Sequence, residues 1–408
     1  MPIRQLEALS RAELARLGRE FMLYGHIYDR ALMPQVGMRL GGGKQIEPLS
    51  IWEWKGASPN YTRRMKRLMK IEGDDVTAIV KALQLDVGFP HEYMDVRFEL
   101  QPDGSAEFWL NHCGALMDVE KRGERAVVMM CHRIEDPTFD ATAVATNPRA
   151  RMRPIHRPPR TPADRHPHCH WTIKIEPGAE PLIEEPLTLE VGKLPLANVV
   201  NERPPDREPG GWHDYAGPFD ADFHLEHLSQ GALVAALREF SLQTHLLASA
   251  ADLFLSQRFE RAKVREVLAN QWAGANWIAA ERIASLRGLG GGGIDAVAEV
   301  LELHPAFPPG VNATLERSGE GQALLRLDGP HELLDEDTPG WLGLLGSGEA
   351  RPIEAIAQAV NPRARVTAPA PCSFVIEVDA EAEPAQEPQS VSLTRLSSVA
   401  AWRFRDFS

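Results

Sequence analysis

Residues His166 to Trp171 read HPHCHW, which puts three imidazoles, a thiol and an indole into six positions. Thiolate and imidazole together suit zinc, and either can act as a nucleophile or a base in group transfer. The enrichment extends upstream. Between His112 and Trp171 stand three of the four cysteines (Cys113, Cys131, Cys169) and six of the fourteen histidines (His112, His132, His156, His166, His168, His170). Strand alternation sends His168 and His170 to one face and Cys169 to the other, so the run cannot converge on one atom by itself. Other elements must complete any site.

The pattern supplies candidates for those elements. Cys113 ends one expected strand, Cys131 ends a second in RAVVMMC, and Cys169 begins a third. An antiparallel sheet can bring the three thiols to one edge, and a histidine from the loop PIHRPPRTPADRHPH then completes a tetrahedral set. His156 is the first choice, with His132, His168, His112 and His170 as alternatives, and zinc is expected ahead of iron. A site with three protein ligands would be catalytic and one with four structural. The spacing matches no zinc-finger pattern. Glu120, Glu135, Asp136 and Asp140 lie close in sequence, and Glu135 and Asp136 with His132 are the candidates for acid–base work. Arg151, Arg153, Arg157, Arg160 and Arg165 line the loop and can hold a carboxylate or phosphate by paired N–H groups. Arg153 and Arg157, with Trp171 and His26, form the expected substrate-binding set. A plainer account makes the thiols ordinary core residues, the histidines solvated loop residues and the acids the first turn of a helix.

The chain is also written twice. REFMLYGHIYDR from Arg19 returns as REFSLQTHLLAS from Arg238, which aligns His26 with His245. EWKGA at Glu53 answers QWAGA at Gln271, AIVKALQLDVGFP answers AVAEVLELHPAFP, and NPRAR occurs at both Asn147 and Asn361. CHWTIKIE at Cys169 answers CSFVIEVD at Cys372. The order never changes and the offset drifts slowly, as expected for a duplication with small insertions. The Pro/Gly-rich stretch NERPPDREPGGWHDYAGP places the boundary near residue 205. Each half, 1–205 and 206–408, reads as a helical front followed by an antiparallel layer in the order β-β-β-α-β-β, an α+β class in two tandem copies. Helical spacing covers Glu13 to Leu32 and Tyr61 to Leu85, with a new helix capped at Asp74-Asp75, and a hairpin turns at Pro102-Asp103-Gly104.

The halves share Trp54/Trp272, Arg64/Arg282, Phe89/Phe307 and Asn147/Asn361, but they do not share the Cys/His set. His112-Cys113 meet Gly329-Pro330, Cys131-His132 meet about Gly346-Ser347, and the histidine loop has no counterpart. Packing accounts for what both copies keep. The first half is therefore expected to be the metal- and ligand-binding copy, and the second a degenerate structural or lid-forming copy.

A helical front, then strand-Cys, Cys-His, a helix of small residues and a last strand opening with Cys-x-[WF] resembles the 4-vinyl-reductase-type ligand-binding domain. It is similar also to the L-2-amino-thiazoline-4-carboxylate hydrolase-like family. The resemblance spans about residues 90 to 178 and, more weakly, 310 to 380. It implies a small α/β unit enclosing an organic ligand beside a cysteine-bound zinc, with Cys113, Cys131 and Cys169 as ligands and His156 near the place of a further cysteine.

Composition narrows the class. A formal charge of −13 argues against general nucleic-acid binding, no stretch approaches the roughly 18 apolar residues of a membrane span, and four cysteines in 408 residues make no disulfide framework. A cytoplasmic enzyme is expected, a hydrolase or lyase acting on a small cyclic, anionic molecule through the metal, and a homodimer is compatible with this. The alternative is a small-molecule sensor for an aromatic ligand built on a structural zinc. Neither GGGK at Gly41 nor GLGGGG at Gly288 has the frame of a phosphate loop, and no Gly-x-Ser-x-Gly elbow occurs.

Overall fold

The computed structural model describes residues 5–405. Helix α1 (Arg11–Arg39) starts at a capping box: Ser10 Oγ accepts from Glu13 N at 3.3 Å, and Ser10 N donates to Glu13 Oε2 at 2.9 Å. Helices α2 (Ile46–Leu68) and α3 (Val76–Leu83) follow, and Asp75 caps the latter through Ala78 N at 2.8 Å, as its sequence position predicts. Strands β1 (Met94–Leu100) and β2 (Ala106–Cys113) form the expected hairpin, with Gly104 in the left-handed region at φ 81°.

Helices α4 (Gly114–Glu120) and α5 (Glu124–Val128) then run into a π-helix (Met129–Ile134) and α6 (Glu135–Val144). The strand expected at RAVVMMC is thus helical, which corrects the β-β-β-α-β-β order to two strands, a helical crossover and two strands. A short apolar run does not distinguish strand from buried helix, and here β2 pairs directly with the last strand, leaving no slot for another. Strands β3 (Ala150–His156) and β4 (Cys169–Ile175) close the sheet in the order β1-β2-β4-β3, and α7 (Pro186–Lys193) ends the half.

The second half repeats the scheme. It has α8 (Gln230–Ser256), α9 (Arg261–Arg287), α10 (Ile294–Glu302), β5 (Asn312–Gly319), β6 (Gln322–Asp328), α11 (His331–Leu334), α12 (Trp341–Gly346) and α13 (Arg351–Val360). Then come β7 (Ala364–Ala370), β8 (Ser373–Val378), α14 (Gln389–Arg395) and α15 (Ser398–Ala401). Its sheet order, β5-β6-β8-β7, is that of the first half. The protein is α+β: two helical-plus-sheet units, each with one four-stranded antiparallel sheet.

The helical fronts interleave. Helix α1 packs along α9 and α2 along α8, while α1 and α2 touch little, so one continuous core crosses the boundary near residue 205. Matched ion pairs mark the pseudo-twofold relation. Arg64 of α2 forks onto Glu239 of α8 at 2.5 and 3.0 Å and donates to Ala197 O and Val199 O; its counterpart Arg282 of α9 forks onto Glu20 of α1 and donates to Val399 O and Trp402 O. Asn147 and Asn361 also match: each side chain donates to a loop carbonyl, Asp74 O or Gly292 O, and accepts from the amide two residues on.

The inserted loop of the first half is replaced in the second by a tight turn in which Cys372 takes φ 57°. A residue with a Cβ is strained there by about 1 kcal/mol relative to glycine. Cys372→Gly is therefore expected to raise stability by a few tenths to about 1 kcal/mol, read by urea unfolding; a clear loss would mean that the thiol's packing outweighs the strain.

Candidate functional site

In the first half, a cavity of about 170 Å³ opens between α1, α2 and the π-helix–α6 segment. Met33, Trp54, Phe89, Met129, Met130 and Phe139 give it an apolar wall, and His26, Asp29, Arg30, Asp86 and Glu135 face it, with exposed Arg122 at its rim. A small site with apolar walls and a few fixed polar groups has the make-up of a small-molecule pocket. A larger cleft of about 570 Å³ between residues 200–205 and 307–313 is bordered by prolines, and its Glu7 and Arg238 pair with each other at 2.8 Å.

The polar groups fall into three sets around the cavity. Arg30 lies 3.1 Å from Asp29 Oδ2 and 3.4 Å from Asp118 Oδ2. Behind Asp29 stands Glu53, which is fully buried and accepts from Tyr28 Oη at 2.9 Å. Burial and the facing Asp29 carboxylate hold the Glu53 carboxyl well above its ordinary range, so it keeps its proton and bridges to Asp29. Across the cavity, Asp86 accepts from Tyr61 Oη at 3.0 Å and Gly88 N at 2.7 Å, yet burial raises it to about 6. His26 Nε2 lies 3.1 Å from Gly88 O, its Nδ1 has no hydrogen-bond partner, and burial lowers it to about 3. The imidazole is therefore neutral at physiological pH, with Nδ1 as a free acceptor. Glu135, raised to about 8 by burial and by the neighbouring Asp136, is protonated near neutrality.

Behind Glu135 lie Cys113, Cys131 and Cys169, all buried. Cys113 Sγ caps α4 by accepting from Leu116 N at 3.3 Å. Cys131, on the π-helix, hydrogen-bonds to Glu135, and burial with that carboxyl pushes the Cys113 thiol up to about 12 and raises Cys131 and Cys169 as well. The structure thus gathers the three thiols and Glu135 into one buried cluster, but it leaves His156 outside. A bulge between Pro154 and His156 pairs His156 with His170, on the face opposite Cys169 and Trp171. Among the described residues, no three histidine, cysteine, aspartate or glutamate side chains converge to hold a metal ion. With His156 on the other face of the sheet, the four-ligand set Cys113, Cys131, Cys169 and His156 is not assembled.

The remaining expected residues divide in two. His26 and Glu135 border the cavity. The others hold the framework: His132 Nε2 lies 2.7 Å from Pro158 O and anchors the inserted loop, Asp136 pairs with Arg157, and Arg153 pairs with Asp140 at 2.9 Å. Trp171 is fully buried behind the wall, 4.9 Å from Phe139 and stacked on Phe108 at 6.1 Å, with the Arg157 guanidinium 5.8 Å from its ring. HPHCHW therefore splits, with Cys169 and Trp171 on the inner face of the sheet and His170 on the outer, bound to Glu107 at 2.8 Å.

Asp29, Arg30, Glu53 and Asp86 were not expected from the pattern. The signal that marks them is the duplication, because their counterparts are Ala248, Ser249, Gln271 and His304, none of them acidic or permanently charged.

Compared with protein-family models, curated proteins and solved structures, the chain has no significant match in any of the three. Among the described residues, no helix is long and apolar enough to cross a membrane.

Buried His245, the counterpart of His26, provides a pH test. Burial lowers it to about 3, below the ordinary 6.5, so the stability of its neutral form is present above pH 6.5 and lost as the pH falls toward 3. His245→Phe removes that proton-binding difference. Relative to its own difference at pH 7.5, the variant is expected to gain on the wild type by about 1.4 kcal/mol per pH unit below 6.5, or about 2 kcal/mol at pH 5. Parallel stability profiles for the two proteins would show that His245 titrates normally.

Proposed function

We propose that the first half is an enzyme site that binds a small cyclic organic molecule in the cavity under α1 and α2 and transforms it by general acid–base chemistry, in a hydrolysis or elimination. The asymmetry between the copies carries this reading: ionisable groups line the cavity in one half and are replaced at matched positions in the other. Core packing gives no reason to set Asp29, Arg30, Asp86 and Glu135 around a hollow, with Glu53 behind Asp29, because each buried charge needs a partner to offset its desolvation.

The roles follow from the protonation states. Glu135, a neutral acid near pH 7, is placed to donate a proton; Asp86, ionised above about pH 6, is placed to accept one; and neutral His26 offers Nδ1 to a donor on the substrate. Arg30 and the rim guanidinium of Arg122 favour an anionic substituent. The test is a fragment screen by ligand-observed NMR on the full chain, then product analysis of the hits. Turnover falling about 10²–10⁴-fold in Glu135→Gln, with binding retained, supports the reading. Hits that bind without conversion support a sensor or binding protein instead, which the aromatic wall also suits. The thiol cluster favours a zinc reading as well: metal analysis showing one equivalent, lost in Cys131→Ser, would establish it, and metal-free folded protein would end it.

A further inference from the structure

The two copies of the cavity are not in the same state. In the second half, the indole of Trp341, 1 % exposed, stacks on Trp272 with centroids 4.9 Å apart and planes 5° apart. It meets His245 edge-on at 5.0 Å and 86°, and its Nε1–H donates to Gln271 Oε1 at 2.8 Å. Gly340 N, just before it, is fixed by Asp252 Oδ2 at 2.7 Å. Trp272, His245 and Gln271 are the counterparts of Trp54, His26 and Glu53. In the first half, His26 and Trp54 lie 6.5 Å apart and border the open cavity, His26 Nδ1 is buried without a hydrogen-bond partner, and Asp29 Oδ1 and Glu53 Oε1 have none beyond the proton that the Asp29–Glu53 pair shares.

We infer that Trp341 stands in for the ligand of the first half, and that this ligand is a flat heteroaromatic ring, up to the size of an indole, which lies on Trp54 and gives its ring N–H to the Asp29–Glu53 pair. The inference rests on the proposal that the cavity takes a small organic molecule, and it names the class. The argument is one of duplicated shape. A copy that no longer takes up its ligand leaves a hollow whose lining has lost its partners, and a side chain matching the same walls restores those contacts. The filler found there is an aromatic ring that stacks, meets an imidazole with its edge and presents one N–H to one acceptor. The change from Glu53 to Gln271 fits: an amide keeps the acceptor for a permanent N–H, whereas a carboxyl pair that shares a proton suits a ligand that comes and goes. Ligand-sized apolar cavities on the scale of 150 Å³ take up single aromatic rings, so the volume suits this class.

The test is calorimetric titration of the full wild-type chain with indole, N-methylindole and cyclohexanecarboxylate. Indole is expected to bind once per chain. N-methylindole should bind about tenfold or more weakly, because it leaves the buried acceptor unpaired, and Trp54→Leu should lose a similar factor for indole. Trp341→Gly should take up a second equivalent of indole and recover melting temperature as it does so. Equal binding of indole and its N-methyl derivative, or preference for the non-planar acid, overturns the ligand class while leaving the cavity proposal intact. A folded Trp341→Gly protein that indole does not stabilise overturns the stand-in. If no probe or screened fragment binds the wild type, the functional proposal itself fails. The wild-type titrations decide the ligand class even where a variant does not fold.

Discussion

Glu239→Ala is expected to destabilise the entire chain by about 3–5 kcal/mol, because it leaves the Arg64 guanidinium buried without its counterion. Both side chains are almost wholly enclosed, at 7 % and 2 % exposure. The pair joins α2 of one half to α8 of the other, and Arg64 also holds the Ala197 and Val199 carbonyls that lead out of the first half. Asn201 Nδ2 adds a contact to the same carboxylate at 3.2 Å. Since one core crosses the boundary, loss of the pair should shift a single cooperative transition by urea and by heat, with far- and near-ultraviolet signals coinciding. Two separated transitions would show that the halves unfold as independent domains. Replacing both partners, Arg64→Met with Glu239→Leu, should cost much less than the sum of the single changes, because no unpaired charge remains.

Arg30→Met is the second large effect, expected at about 3–5 kcal/mol together with loss of any anionic ligand from the cavity. Arg30 stands between Asp29 and Asp118, whose side chains are 15 % and 4 % exposed. Without the cation, Asp29 and Asp118 keep only the exposed Arg122 and Lys121 as positive neighbours, the latter 3.8 Å from Asp118. Asp118 also accepts from Ser398 N at 2.7 Å and Ser398 Oγ at 3.0 Å, so the disturbance reaches the segment that α15 lays over α4. Asp29→Leu added to Arg30→Met should recover part of the stability without restoring ligand binding, which separates the electrostatic cost from the functional loss. A change below about 1 kcal/mol in Arg30→Met would mean that water entering the cavity, and not Arg30, neutralises Asp29.

How much of the site could be read in advance depends on which residues are considered. The duplication, the cap at Asp75 and the hairpin at Gly104 are local or repeated features, and the structure contains each element as read. Cys113, Cys131 and Cys169 do meet Glu135, although Cys131 comes from a π-helix where a strand was expected. The two misplaced histidines have separate causes. His132 is held by a loop carbonyl 26 residues away, and His156 is turned outward by one extra residue in β3. A bulge leaves no mark in side-chain periodicity, yet it reverses the face of everything beyond it. Helix α2 was legible only from Tyr61 onward, since Pro48, Gly56 and Pro59 hide its first turns in the pattern, although packing against α8 tolerates them.

By itself the amino-acid sequence determined that this protein is two copies of one α+β unit, and that the Cys/His set stands in the first copy alone. Repeats, caps and turns are set by near neighbours, and a duplicated chain provides its own comparison. Only the tertiary structure decided where the hollow lies. Asp29, Arg30, Glu53, Asp86 and Glu135 come from segments spread over more than a hundred residues, and they become a site because α1 and α2 pack against the other half's helices and leave space between them. Whether such a space stays open or fills with an indole, as it does at Trp341, depends on the volume of side chains that meet only in the folded core.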